Sequence, residues 1–445
     1  MYYSFLILIF CCSNALSLEQ NESKKQEGFF NKSPSEQRNI FINKIKNIMP
    51  DNTKSQASNL ESEGLLASQI NKKQTVESLL IKTLELISNG RLNQASKVND
   101  ELIILAPNFK LAHLIRGDIL SAYSMSIDNF GGSAVKINSS KVIELKKEAQ
   151  RRIKGYLNSQ NINKLPKFNI LPAEKNKYLI YVDMDSSRLY VFENNKRKYY
   201  YLSDYYVSIG KNGYGKRFEG DKKTPYGTYF LQKKIERELT DFYGDGAYPL
   251  NYPNKFDKFN NYTGSGIWIH GTPKSTYSRA PEASDGCIVL SNKDLVEIEH
   301  VFNTPGTPVI LSNLSIIDLG LRSESDIHDE QNQLLTNIKN WKKSWESKDY
   351  DKYIDFYSKD AVYNKTRFVQ WSLAKKNVFE RTKAIKIFLD NISIYEYPSE
   401  EDRDQLRIVL FSQNYKSNLI SNLSKKKQIW KIQNGEWKII YEGSE

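Results

Sequence analysis

A multidomain α+β fold follows from three changes of pattern along the 445 residues. Apolar positions recur at helical spacing over 74–160, alternate with a period of two from Lys177 to Ser312, and beyond residue 331 run from helical spacing back to alternation. The length accommodates roughly two to four domains of ~100–200 residues. A composition of 39% hydrophobic and 12% aromatic residues can fill their cores. Mean hydropathy is −0.59, and no apolar run approaches the roughly 20 residues that a membrane-spanning helix needs.

The first seventeen residues, MYYSFLILIFCCSNALS, hold an apolar run, Phe5–Cys12, followed at once by polar sequence. Ala15 and Ser17 put small residues at −3 and −1 of a cleavage site before Leu18, so 1–17 reads as a secretory signal peptide, although Lys and Arg are missing from its start. A buried N-terminal helix or short anchor is the alternative. A lipoprotein site at Cys11 or Cys12 fits poorly, because bulky Phe10 or Cys11 would precede it. Residues 18–73, rich in Asn, Ser, Lys, Glu and Gln, read as a polar linker.

The region 74–160 is expected to be helical. Leu79, Leu80, Leu84 and Ile87 make one stripe. Leu102, Ile103 and Leu105 make a second, ended by Pro107, and Leu111, Leu114 and Ile115 a third. Ala95, Pro107 and Gly117 fall where a tetratricopeptide repeat would put them, and a plain helical hairpin fits equally well.

Over 176–314 the chain reads as a compact, mostly β domain. Strands are expected at Tyr178–Asp183, Arg188–Phe192, Tyr199–Gly210, Thr224–Phe230, Ile267–His270, Ile288–Leu290 and Pro308–Ser312, with turns at Asp185–Ser187 and Asn194–Asn195. An acidic link, Glu324–Glu330, then leads to a domain at 331–445. There, helices Leu334–Ser347 and Tyr350–Ser358 precede strands near Ile392–Tyr397, Leu406–Tyr415, Lys426–Gln433 and Trp437–Tyr441. Asn434-Gly435 is a hairpin turn signal. Helices followed by a curved antiparallel sheet imply an α+β cone.

Sixty-four Lys and Arg against 52 Asp and Glu give a net charge of +12, which favours anionic partners. The basic residues are scattered and no nucleic-acid motif accompanies them, so a nucleic-acid partner is not expected. Four His and three Cys leave no room for zinc fingers, iron–sulfur clusters or a disulfide scaffold. Removal of 1–17 would make Cys287 the only cysteine, which is then either a small buried hydrophobe or a reactive thiol.

The context of Cys287 favours the second reading. Two segments carry chemistry, Ile267-Trp268-Ile269-His270-Gly271-Thr272-Pro273 and Ala283-Ser284-Asp285-Gly286-Cys287-Ile288-Val289-Leu290. A thiol nucleophile needs a base to take its proton and backbone donors for the developing oxyanion. His270 ends an apolar strand, a rigid support for a base, and Gly286 allows a sharp turn beside the thiol. His113, His300 and His328 lack such a setting.

Together these motifs resemble the YkuD-type L,D-transpeptidase family, whose hallmark is His-Gly-Thr followed by Ser-x-Gly-Cys-Ile, here His270-Gly271-Thr272 and Ser284-Asp285-Gly286-Cys287-Ile288. The Leu-Tyr-Val-Phe strand, Ser208-Ile-Gly and Thr224-Pro-Tyr-Gly-Thr fit the same resemblance, which covers roughly 177–312. Many members have His at the position of Asp285 and Arg at that of Val289. Arg279 is the candidate replacement cation, an exposed loop arginine being the plain alternative. Ser278-Arg279-Ala280-Pro281 and Asp285 resemble a subset that includes cell-shape L,D-carboxypeptidases. These carry a C-terminal NTF2-like domain, which 331–445 resembles at Trp341, Phe356-Tyr357, Gln413-Asn414-Tyr415 and Trp437-Lys438-Ile439.

The resemblance implies an exported enzyme of the bacterial periplasm or cell envelope that acts on peptidoglycan stem tetrapeptides without a metal or organic cofactor. Cys287 would attack the L-centre carbonyl and His270 would move the proton. Gly286 and Cys287 N–H groups would hold the oxyanion, with Gly271 and Ser284 shaping the loops. Arg279, Asp285, Thr272 and Tyr277 would face the substrate. An amine acceptor gives a cross-linking L,D-transpeptidase and water gives an L,D-carboxypeptidase; a non-catalytic envelope-binding protein is the third reading. The helical or NTF2-like region could engage an envelope protein, and dimerisation is left open.

Overall fold

The computed structural model describes residues 75–123, 130–132, 139–160, 171–315, 324–363, 366–399 and 406–444. The expected signal peptide and polar linker lie outside these residues. The chain divides into two compact units, one ending at Lys146 and one starting at Lys147.

The first unit holds helices α1 (Val76–Ser88), α2 (Leu92–Leu105) and α3 (Lys110–Ser121), and the start of α4 (Ser139–Gln160). Thr75 caps α1 by accepting the Ser78 N–H at 3.1 Å, and the Ser78 hydroxyl reciprocates. Leu80, Ile87, Ala95, Leu102 and Ile115 are fully buried. Buried Asn99 donates to the Ala112 carbonyl, tying α2 to α3. Leu105, the last residue of α2, departs from the expected stripe and is 37% exposed.

In the second unit, β1 (Tyr178–Asp183), β2 (Arg188–Asn195), β3 (Lys198–Tyr206), β5 (Gly227–Phe230) and β10 (Pro308–Ser312) form a sheet of order β3-β2-β1-β10-β5. Only β1 and β10 run parallel in it. The expected turn at Asn194–Asn195 falls two residues later, at Lys196 and Arg197, both at left-handed φ. Two small sheets carry the candidate motif residues. One joins β6 (Ala247–Pro249), β7 (Trp268–His270) and β9 (Ile288–Val289), and the other pairs β4 (Ile209–Gly210) with β8 (Glu282–Ser284). Short helices α5 (Lys255–Phe259), α6 (Asn292–Glu297) and α7 (Glu299–Phe302) complete the layer.

Beyond it, α8 (Glu324–Glu346) and α9 (Tyr350–Asp355) lead to a hairpin, β11 (Val362–Tyr363) with β12 (Thr366–Arg367). Helix α10 (Phe368–Arg381) follows, then an antiparallel meander of β13 (Ile385–Glu396), β14 (Arg407–Ser417), β15 (Ser421–Gln433) and β16 (Glu436–Ser444). The acidic stretch Glu324–Glu330 is the start of α8 rather than a link. Acidic residues suit the positive end of the helix dipole, and Glu330 pairs with buried Arg407 at 2.5 Å. The hairpin and α10 were not legible in the sequence. The described core positions of α10 are few, Trp371, Ser372 and Phe379, too sparse for a visible stripe. Asn434 and Gly435 both take left-handed φ, the turn expected there.

Trp341, Tyr353, Tyr357, Trp430 and Ile439 fill the cone beneath the meander. Its opposite face packs on the five-stranded sheet: Leu179, Tyr181, Phe192, Phe230 and Ile310 share one cluster with Tyr395, Tyr397, Leu406, Ile408 and Tyr441. The Arg197 guanidinium donates to the Ile392 carbonyl, and the Thr228 hydroxyl to that of Glu396, across the same junction.

Candidate active site

The parallel pairing of β7 and β9 sets Ile269 against Ile288 and His270 against Val289. Cys287, the residue before β9, therefore comes two residues before the partner of His270, on the same side of the pleat. The thiol donates to the Gly266 carbonyl at 3.3 Å. Burial pushes it up to about 11, and the Trp268 N–H and the Arg279 charge oppose that rise. At rest Cys287 is therefore a protonated thiol, which would need a base to act as a nucleophile.

His270 is 1% exposed. Its Nδ1 lies 2.7 Å from the Gly271 carbonyl oxygen. A carbonyl only accepts, so Nδ1 carries the proton and Nε2 presents a lone pair. Burial, reinforced by the Arg279 charge, lowers the imidazole to about 4 against the stabilising Gly271 bond. The ring sits 5.2 Å from Tyr243 and 5.9 Å from Phe242.

The two glycines of the motifs are forced by close packing. A Cβ on Gly271 would lie 2.0 Å from Asn292 Oδ1. That amide oxygen accepts from the Thr272 and Asp245 N–H groups, and its NH2 donates to the Thr272 carbonyl. Gly286 has φ +122°, and a Cβ there would meet the Lys223 carbonyl at 2.7 Å. Ser284 is buried and closes the nucleophile loop: its hydroxyl donates to the Cys287 carbonyl at 2.6 Å and accepts the Gly286 N–H at 3.1 Å. The Thr224 hydroxyl donates to the Gly286 carbonyl from the other side.

These bonds revise two expectations. The Gly286 N–H, an expected oxyanion donor, is bonded to the Ser284 hydroxyl. Thr272 is 1% exposed, and its hydroxyl is spent on the Thr276 carbonyl at 2.8 Å, so it holds the loop instead of facing substrate. Gly271 shapes the loop through its carbonyl, since its own N–H goes to Tyr243. Arg279 is drawn in toward the site: its guanidinium lies 4.3 Å above the Phe242 ring and donates to the Phe242 carbonyl at 3.0 Å. Its charge acts on both Cys287 and His270. Asp285 is exposed and paired with Lys211 at 2.8 Å. Tyr277 is half-buried on the loop after Thr272. Val289 is buried opposite His270 and exchanges both backbone bonds with Ser208.

Sequence reasoning missed Asn292, Phe242 and Tyr243. Asn292 opens α6 with nothing in its neighbours to mark it. The paired aromatics in the polar stretch Glu236–Asp245 were the available signal for the other two. Among the described residues no cluster of metal-ligating side chains occurs, and no helix is long and apolar enough to cross a membrane.

Residues 177–311 match the L,D-transpeptidase catalytic domain family and residues 333–443 the Cds6 C-terminal NTF2-like domain family, so the chain carries both domains. It is 26% identical over 132 residues to YafK of Escherichia coli K12, 28% of this chain, and it spans about half (49%) the length of the curated relatives it matches. Among solved structures it is similar to the helical cell shape determining protein Pgp2 of Campylobacter jejuni. Identity is 25% and the TM-score 0.53, over 65% of this chain and 99% of that one. It is also similar to Bd1075 of Bdellovibrio bacteriovorus, at 28% identity and TM-score 0.52, over 63% of this chain and 97% of that one.

Proposed function

We propose that this chain is an exported peptidoglycan L,D-transpeptidase that works through a Cys287 thioester on stem tetrapeptides. The observation that carries the reading is the His270 tautomer set by the Gly271 carbonyl, an unprotonated Nε2 on a buried ring whose strand pairs with the one that follows the only described cysteine. Nε2 takes the thiol proton as sulfur attacks the carbonyl of the L-centre at the third stem residue. The tetrahedral oxyanion faces the Cys287 N–H. Collapse breaks the L,D bond, and the terminal D-amino acid leaves with the proton from His270. An amine from a second stem peptide then displaces the sulfur and returns a cross-link. Arg279, with Asp285 and Tyr277 as further substrate-facing candidates, is suited to a substrate carboxylate or amide.

A second reading, with water as the acceptor and trimming of tetrapeptides to tripeptides, is favoured by the likeness across both domains to a cell shape determining protein. Incubation with a purified tetrapeptide muropeptide separates the two. Dimers joined between two diamino acids support transfer, and tripeptide monomer alone supports hydrolysis. Unchanged tetrapeptide, with no mass adduct on Cys287 from a thiol-directed carbapenem, would leave only an envelope-binding role.

A further inference from the structure

The part of α4 that belongs to the second unit lies against the loop that carries Arg279. Glu148 and Arg152, each 2% exposed at the side chain, form an ion pair at 2.9 Å one turn apart. The same Glu148 oxygen accepts the Ser278 hydroxyl at 2.7 Å. The Arg152 guanidinium stacks 3.9 Å above the Tyr206 ring, and the Tyr206 hydroxyl donates to the Arg279 carbonyl at 2.9 Å. On the surface, Lys147 and Arg151 reach Glu282 at 3.6 and 3.9 Å. The loop is thus held on both sides of Arg279 by a helix outside the catalytic sheets.

Burying an ion pair is costly in itself, and such a pair is weak evidence for stability. Here both partners are spent on the backbone and flank of one residue. We propose that Glu148 and Arg152 are positioning residues, which act through Ser278 and Tyr206 to hold the Arg279 guanidinium on Phe242, the ring that neighbours His270.

The consequence is electrostatic. The groups facing the thiol are the cations Arg279 and Lys216, the anion Asp285 and the Trp268 N–H; Arg279 is the charge facing His270. Held in place, Arg279 favours the thiolate, which eases loss of the sulfur proton, and keeps the resting imidazole unprotonated, while the same charge opposes the imidazolium that forms when Nε2 receives that proton. The inference rests on Cys287 as nucleophile but needs no particular acceptor.

The test is the rate of alkylation of Cys287 by iodoacetamide, an uncharged probe, at pH 8. It is followed by mass on the peptide that contains Cys287, alongside thermal melting of each full-length variant. Tyr206→Phe and Ser278→Ala each remove one hydroxyl. Either is expected to slow alkylation about two- to tenfold, because a one-unit rise in thiol pKa lowers the thiolate fraction about tenfold. Arg279→Ala should slow it at least as much, and combining it with Ser278→Ala should add nothing further. Glu148→Gln keeps an acceptor oxygen and should retain most of the rate that Glu148→Ala loses. In an NMR titration the His270 imidazole should titrate above its value of about 4 in Arg279→Ala. Wild-type rates in both Tyr206→Phe and Ser278→Ala, or in Arg279→Ala, would overturn the proposal even if melting temperatures fell. Altered alkylation in a protein that leaves muropeptides untouched would instead refute the proposed function alone.

Discussion

His270 gives its Nδ1–H to the carbonyl of its own neighbour Gly271, 2.7 Å away. No carboxylate is needed to orient the base, because the backbone does so. With the imidazole lowered to about 4 and the thiol raised to about 11, the resting pair is neutral. The alkylation rate of Cys287 should therefore climb steadily from pH 6 to pH 9. A plateau with a midpoint below 7 would reveal a preformed thiolate–imidazolium pair and sink this account.

Ser284 joins two backbone groups of the nucleophile loop, the Gly286 N–H and the Cys287 carbonyl. Ser284→Ala leaves both without that partner in a buried setting, at a cost of about 1–3 kcal/mol. Since Ser284 does not face solvent, the expected signature is a lower kcat with a nearly unchanged KM, measured on a tetrapeptide muropeptide. A raised KM with unchanged kcat would mean that the serine touches substrate.

The catalytic elements were legible because their signals are local. Period-two strands, the His-Gly-Thr and Ser-x-Gly-Cys motifs and the Asn434-Gly435 turn all lie within a few residues. What escaped depends on distant partners. Asn292 matters because it sits under Gly271, twenty-one residues earlier in the chain. Thr272 looked substrate-facing because the motif is near the thiol, yet its hydroxyl is consumed four residues on. The acidic stretch before residue 331 read as a link because charge masks helical spacing, while Glu330 finds its partner at Arg407 in β14. Arg279 was visible only as a nearby cation; the helix that holds its loop is more than a hundred residues upstream.

Gly286 tests how strongly the backbone is constrained. At φ +122° with a backbone oxygen 2.7 Å from any added Cβ, the loop cannot yield cheaply. Gly286→Ala should destabilise the protein by about 2–4 kcal/mol from strain and overpacking together. It should also abolish alkylation-sensitive activity. Urea unfolding gives the first number, and a loss under about 0.5 kcal/mol would show that the Lys223 segment moves freely.

Asp257 lies at the junction of the two sheets, where it accepts the Asn254 N–H at 2.7 Å and the Tyr229 and Tyr397 hydroxyls at 3.2 and 3.3 Å. Burial raises its carboxyl to about 6, against those hydrogen bonds and the Lys427 charge. The folded protein then binds a proton more tightly than the unfolded chain does, so the contribution of this group to stability is present below the unfolded value of about 4 and is lost as pH rises through 6. Asp257→Asn keeps an acceptor for Asn254 and removes the titration. The stability of wild type relative to Asp257→Asn should therefore fall between pH 4.5 and pH 7.5, by about 2 kcal/mol. Taking the difference cancels the background from Asp183, which is also raised to about 6, and from His270, which has the opposite sign. Urea unfolding of both proteins at the two pH values measures the change, and a difference that stays flat or rises with pH would show that Asp257 is ionised in the folded protein throughout.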